Sequence, residues 1–368
     1  MNILLVNSAR GSGVGMDSTI ELGRGLAERE HNVTIACHPR SKIHDWLGPE
    51  TRPSIDRVEI RTGFGPHRVL QLARASRRLK PAIVVVDERA DVTLSVAARR
   101  LAGGFPIVHR YDATIPLTDS RVHRQVWGRE LQTLILTSRA IREHLSEAMP
   151  WLADIRLEVI HAGKDTGHYR PMPKLRKRMR AELGIPENAL VVSYHGTVEE
   201  GENLDLLVRA VAELPRHLAV FALIVGVGPQ LSEMRRLAAE LRAPVLFAGT
   251  RTDLPAVLGA ADVAAVLSVT PQCSNSVIES LACGLPVIAA DTAGHREHVE
   301  DGVHGVLVPP QDWNSLADAI RWVSADPGDR QNMARAARER ATAEFSLPRM
   351  IDRYEEVLRQ TVDAFAAA

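Results

Sequence analysis

Thr270-Pro271-Gln272-Cys273-Ser274-Asn275-Ser276-Val277-Ile278-Glu279-Ser280-Leu281-Ala282-Cys283-Gly284-Leu285-Pro286-Val287-Ile288 is the stretch on which the fold turns. The β-branched run Val263–Leu267 leads into it and ends in small polar residues. A helical stretch begins near Asn275 and stops at Gly284, where a second apolar run, Pro286–Ala289, takes over. Strand, helix and strand in immediate succession form a βαβ unit, whose strands lie parallel.

Working outward, the same alternation continues. In the second half the spacing predicts strands at Ala189–Tyr194, Phe221–Val225 and Pro244–Phe247, with helices at Leu204–Leu214, Gln230–Leu241, Asn275–Cys283 and Trp313–Val323. In the first half it predicts strands at Ile3–Val6, Val33–Cys37, Ala82–Val86, Pro106–His109 and Thr133–Leu136. Helical patterns at Ser18–Arg29, Val69–Leu79, Asp91–Leu101 and Ser138–Met149 separate them. Such a chain builds parallel sheets covered by helices on both faces. Arg170-Pro171-Met172-Pro173 interrupts the pattern, because proline resists helix and strand alike. The expected organisation is two doubly wound α/β domains, residues 1–170 and 171–344, followed by one long helix over residues 345–368. Ligands of such sheets bind beyond the carboxyl ends of the strands, which puts the expected site between the two domains.

Composition narrows the function. The 368 residues hold 45 Lys plus Arg against 45 Asp plus Glu, so no basic field exists to hold nucleic acid. With 45% apolar and 24% charged residues the chain is an ordinary globular one. Cys37, Cys273 and Cys283 match no zinc-ligand spacing and suit a reducing compartment. Met1–Asn7 reads as a buried strand and not as a signal peptide, and no apolar run is long enough to span a membrane. A soluble, cytoplasmic protein is expected.

Three groups of residues could carry chemistry. Ser8–Asp17 follows the first strand with Gly11, Gly13 and Gly15, which let backbone amides approach an anion. Arg10 stands at its start as a cation able to meet a phosphate; a tight turn without ligand reads equally well. In the opening stretch, Ser274, Asn275, Ser276 and Val277 offer uncapped amides at a helix start. Glu279, one turn inside, could accept two hydroxyls, as from a ribose; the plainer alternative is an N-cap followed by an exposed glutamate. His195 ends a strand and could meet phosphate when protonated, although a capped loop histidine is the reading the sequence favours. Arg251 and Arg296 follow strands of the second half as further cations, or as solvated surface residues.

These motifs resemble, in order, those of retaining GT-B glycosyltransferases of the family-4 type. Glu279-Ser-Leu-Ala-Cys-Gly-Leu-Pro-Val is similar to the family's Glu-Ala-Met-Ala-x-Gly-x-Pro-Val. Leu26-Ala-Glu-Arg-Glu-His-Asn-Val-Thr resembles its Arg-Gly-His-x-Val, and Val225-Gly-Val-Gly-Pro its Gly-x-Gly-Pro turn. Ile160-His-Ala-Gly-Lys-Asp-Thr-Gly-His-Tyr-Arg-Pro resembles its Asn-Gly-Val-Asp-x-x-x-Phe-x-Pro hinge. Ala293-Gly-His-Arg-Glu with Asp301-Gly-Val-His-Gly resembles its Gly-Gly-x-x-Glu…Gly-x-x-Gly end. The resemblance implies two Rossmann-like domains facing a central cleft and a last helix returning to the first. It also implies a nucleotide-sugar donor on the C-terminal domain, an acceptor on the N-terminal one, and transfer with retention. Neither metal nor cofactor is implied; the acceptor could be a small molecule, a glycan or a lipid-linked species.

The departures are specific. Where the family carries Gly-Arg-Leu-x-x-x-Lys-Asn, this chain has Gly196-Thr197-Val198-Glu199-Glu200-Gly201-Glu202-Asn203. Thr197 and Glu202 replace the phosphate-clamping Arg and Lys. Pro271 stands where the family usually has a first glutamate, eight residues before Glu279. A branch with Arg-x-Asp after the fourth strand resembles Arg110-Tyr111-Asp112, which makes Asp112 a catalytic candidate by resemblance, with His109 the nearest histidine. The reading is a retaining glycosyltransferase. Its rivals are a binding or pseudoenzyme role and a transferase for an unusual donor.

Overall fold

The computed structural model describes residues 1–10, 14–47, 55–60, 65–111, 117, 121–269 and 274–368. It divides into two compact units, Met1–His161 with Leu347–Ala368, and Ala162–Ser346. The division falls ahead of the Arg170–Pro173 break for a physical reason. Tyr169 packs into the second unit's core, and Arg338 donates to the carbonyls of Tyr169 and Thr166, both at 2.9 Å. The stretch before the prolines therefore belongs to the second unit.

The first unit holds strands β1 (Asn2–Asn7), β2 (Asn32–Cys37), β3 (Asp56–Glu59), β4 (Ile83–Val86), β5 (Ile107–Arg110), β6 (Thr133–Leu136) and β7 (Arg156–Val159). All pair in parallel, in the order β3-β2-β1-β4-β5-β6-β7. Successive side chains of a strand point to opposite faces, and the core divides accordingly. Leu4, Val6, Val84 and Val86 pack on one side with Leu72, Val92 and Trp127. Ile3, Leu5, Ile83 and Val85 pack on the other with Leu22, Leu26, Ile351, Tyr354 and Leu358. The last three of those belong to the terminal helix Leu347–Ala367, which thus completes one layer of the first unit.

The second unit holds β8 (Leu190–His195), β9 (Val220–Val225), β10 (Val245–Gly249), β11 (Val263–Val266), β12 (Val287–Ala290) and β13 (Gly305–Val308). They are also parallel, in the order β10-β9-β8-β11-β12-β13. Val192, Ala222, Ile224 and Ala265 face one helical layer; Val191, Leu223, Val225, Ala264 and Val266 face the other. This is a two-domain, Rossmann-like α/β fold. The sequence pattern missed β3, β7 and β13, all at sheet edges.

Candidate functional site at the switch point of the second sheet

From β8 the chain moves outward through β9 and β10, then returns to the opposite side of β8 as β11. Open parallel sheets bind ligands where the order reverses in this way, beyond the carboxyl ends of the strands. Here those ends deliver His195, the Gly196–Asn203 loop, and the Asn275–Ala282 helix. Asn203, in the left-handed region at φ 53°, donates from Nδ2 to the carbonyl of Leu267 at 2.8 Å. That bond ties the loop after β8 to the segment after β11.

Glu279 lies one turn inside the helix and is only 9% exposed. His195 Nε2 approaches its Oε2 at 3.1 Å, and Lys164 Nζ approaches its Oε1 at 3.1 Å. A carboxylate can only accept, so Nε2 is the imidazole nitrogen that carries the proton. Burial pushes the Glu279 carboxyl up, but the His195 hydrogen bond and the Lys164 charge outweigh it and hold the group below the usual glutamate range. The result is a buried carboxylate that stays ionised. Lys164 is itself fixed: its amide donates to the carbonyl of Phe345 at 2.9 Å.

The acidic loop turns partly inward. Glu199 and Glu200 are exposed, whereas Glu202 is half-buried against the Tyr194 hydroxyl. That hydroxyl donates to the Thr197 carbonyl at 2.7 Å, so two acceptors compete for one proton. Burial raises the Glu202 carboxyl, with Glu199 adding to the rise and Tyr194 opposing it. The loop rests directly on the turn after β9. A Cβ at Gly226 would stand 1.9 Å from the Gly196 carbonyl oxygen, and one at Gly228 2.2 Å from that of Val198. The Gly226-Val227-Gly228-Pro229 turn owes its two glycines to that contact.

The other expected donor residues are placed less openly than the sequence suggested. Two amides at the helix start are taken: Ser276 N donates to Ser274 Oγ at 3.4 Å and Val277 N to the Ser274 carbonyl at 3.1 Å. The Val277 side chain is core and Ser276 is buried, while Asn275 is half-buried. Ser274 is therefore an N-cap, as in the plainer alternative, but Glu279 is buried and not the exposed glutamate that alternative expected. Arg251 is held by Glu182 at 2.8 Å and Asp253 at 2.8 Å, which push its guanidinium up. Arg296 forms a two-pronged pair with Asp291 at 2.5 and 2.7 Å. Both cations are spent on local carboxylates.

In the first sheet the order reverses between β1 and β4, and a polar cluster sits there. Asn7 Nδ2 donates to Thr19 Oγ1 at 3.0 Å and to Asp87 Oδ2 at 3.1 Å. Arg110 Nε lies 3.0 Å from Asp87 Oδ1, and its Nη2 donates to Ser18 Oγ at 2.6 Å. Ser8 N donates to the buried Asp91 at 2.8 Å; burial pushes that carboxyl up to about 6. Arg10 is exposed beside His38 and Arg40, and Gly15 lies in the first turn of the next helix with open space around it. His109 does not reach the surface. It is 1% exposed, its Nδ1 meets the Val86 carbonyl at 3.0 Å, and its ring sits edge-on to Trp127. Burial drives its pKa down to about 4, so it is a neutral packing group, not an exposed acid or base. Gly13 and Asp112 lie outside the described residues.

Sequence reasoning brought Glu279 and His195 toward one site without linking them, and it missed Lys164, Tyr194, Asp87 and Asp91. Lys164 lay inside a quoted motif, where a cation in an otherwise apolar position was the available signal.

Known glycosyltransferases resemble this chain in sequence and in fold. A model of the glycosyl transferases group 1 matches residues 176–340, and a model of glycosyltransferase family 4 matches residues 17–168. A GDP-mannose-dependent alpha-(1-6)-phosphatidylinositol monomannoside mannosyltransferase of Mycolicibacterium smegmatis is 28% identical over 341 residues, covering 85% of this chain and 86% of that protein. A D-inositol 3-phosphate glycosyltransferase of Mycobacterium bovis is 35% identical over 200 residues, 51% of this chain and 40% of that protein. Anabaena HepE in complex with UDP shares the fold at a TM-score of 0.84, with 21% identity over 98% of this chain and 100% of that one. Among the described residues no helix is long and apolar enough to cross a membrane.

Proposed function

Because the chain belongs to the group 1, family-4-type glycosyltransferases, we propose that it moves a sugar from a nucleotide-activated donor to an acceptor with retention of anomeric configuration. The observation that carries this reading is the buried, ionised Glu279 at the switch point of the second sheet. An acceptor-only group held there suits the two hydroxyls of a ribose, with the nucleoside lying beyond β8 and β11. As the glycosidic bond to the diphosphate breaks, the sugar gains oxocarbenium character and negative charge builds on the leaving group. Stabilising that charge is normally the largest protein contribution. In this chain it falls, within the second unit, on exposed Thr197 and half-buried Asn275, and no metal is invoked. A neutral donor such as Thr197 supplies about half of what a charged one would.

The acceptor is assigned to the first unit, with Asp112 as the proposed catalytic residue on the strength of the resemblance alone. HepE has been seen with UDP and UDP-glucose, and the M. smegmatis relative is described as GDP-mannose-dependent, so uridine and guanosine donors head the panel to test. A thermal-shift panel of nucleoside diphosphates should single out one base. Incubating the matching α-linked donor with acceptor pools, and reading the product anomer by NMR, tests retention. An α-linked product supports it; a β-linked product contradicts it.

A further inference from the structure

Lys164 stands at the valine position of the hinge pattern, in a chain whose Gly196–Asn203 loop carries acidic residues and no cation. Its side chain is only 12% exposed, as is that of Glu279. A lysine is costly to hide, and this one ends on Oε1 of a carboxylate whose other oxygen already takes His195. Two carboxylate oxygens offer about four lone-pair sites between them. Lys164 and His195 take one on each oxygen, which leaves one on each.

We propose that Lys164 is a positioning residue for the donor nucleoside: it fixes Glu279 as an acceptor with one open site per oxygen, suited to the two neighbouring hydroxyls of a ribose. This rests on the reading that Glu279 meets the donor ribose, and it adds the residue that makes the carboxylate selective. The titratable and charged groups facing Glu279 are Lys164 from the segment before the Pro173–Leu183 helix and His195 from β8, with the Cys283 thiol one turn further along its own helix. Without Lys164, burial is opposed by His195 alone. The carboxyl then rises, and a protonated Glu279 donates one hydrogen and discriminates poorly.

The experiment measures binding of UDP, 2′-deoxy-UDP, GDP and 2′-deoxy-GDP by calorimetry at about pH 6 and about pH 8.5. The base that binds gives a ribose-to-deoxyribose affinity ratio for the parent, Lys164→Met, Lys164→Arg and Glu279→Gln. The parent should prefer ribose about tenfold or more at both pH values, the cost of a lost hydrogen bond to a charged group. Lys164→Met should lose most of that preference at the lower pH and recover part of it at the higher, as Glu279 ionises. Lys164→Arg should keep it. Lys164→Gln repeats the test should the Met variant fail to fold. A Lys164→Met or Lys164→Gln variant that keeps the parent ratio at both pH values, while Glu279→Gln loses it, overturns the role of Lys164 alone. A parent that does not discriminate, or a Glu279→Gln variant that still does, removes the ribose reading itself and this proposal with it.

Discussion

Two buried groups of the first unit work against each other as pH changes. His109 titrates near 4 when folded, against an ordinary 6.5, so it withholds stability as pH falls from about 6.5 to about 4. Asp91 titrates near 6 when folded, against an ordinary 3.8, so its stability is present at low pH and is lost as pH rises from about 4 to about 6. Each shift corresponds to roughly 3 kcal/mol, of opposite sign over nearly the same range. The parent's first unit should therefore show little net contribution from the pair. Urea titrations at about pH 4.5 and about pH 7 separate them. Relative to the parent, Asp91→Asn should gain stability with rising pH and His109→Gln should lose it. A pair of variants with the parent's pH dependence would contradict the burial argument. At this scale the sequence was partly legible. Glu279 announces itself by its place in a helix after a polar strand end. Lys164 does not, because nothing local says that a hinge lysine will fold onto a carboxylate more than a hundred positions away. His109 is a catalytic candidate in the sequence beside a structural reading, and the structure favours the structural one: the Trp127 ring, distant in sequence, packs edge-on against it.

Among elements, the Gly196–Asn203 loop and the turn beneath it form one device. Gly226 lies at φ 143°, and a Cβ there would strike the Gly196 carbonyl oxygen. Gly226→Ala should displace the loop while leaving the second unit folded, since the strain lies at a surface turn. Nucleoside diphosphate affinity should fall about tenfold, in keeping with a strain of roughly 1–3 kcal/mol; unchanged affinity would separate the loop from donor binding. Thr197→Arg with Glu202→Lys tests the loop from the other side. Thr197 is exposed, so the new guanidinium is free to meet phosphate, and each added cation should contribute about 1.5–3 kcal/mol. A double variant that binds no better places the phosphates elsewhere. Elements were legible where burial was complete. β4, Ile83-Val84-Val85-Val86, is covered on both faces and reads as a strand from its apolar run alone. β3, Asp56-Arg57-Val58-Glu59, has one buried residue of four and pairs on one side only. Edge strands carry charges that discourage further pairing, and those charges erase the pattern by which a strand is recognised. β7, with Arg156 and Glu158, escaped notice for the same reason.

For the molecule as a whole, the terminal helix is not an appendage. Gly25 permits its close approach: a Cβ there would lie 2.5 Å from Ile351 Cγ1. Met350, Ile351, Tyr354, Val357 and Leu358 are all buried, and each such side chain is worth about 1.5–3 kcal/mol. Their sum approaches the entire stability of a typical domain, about 5–15 kcal/mol. Truncation after Phe345 should leave the first unit unfolded and the second folded, which hydrogen exchange resolved by peptide would show. Protection of β1 and β4 in the truncated chain would contradict it. The two-unit plan was visible in the alternation of strands and helices. Ownership of the last helix came from the family resemblance alone, and the helix does belong to the first unit; amphipathicity says that a face is buried and not against what.

One carboxylate, that of Glu279, anchors the proposed donor site. Calorimetric titration of UDP and GDP into the parent and into Glu279→Gln tests it most directly. The parent should bind one of the two saturably, and the variant should bind it more weakly by about 1–3 kcal/mol, the cost of disturbing a hydrogen bond to a charged group. Equal affinity in the two proteins would show that the nucleotide does not touch Glu279, and the donor site drawn here at the switch point of the second sheet would be wrong.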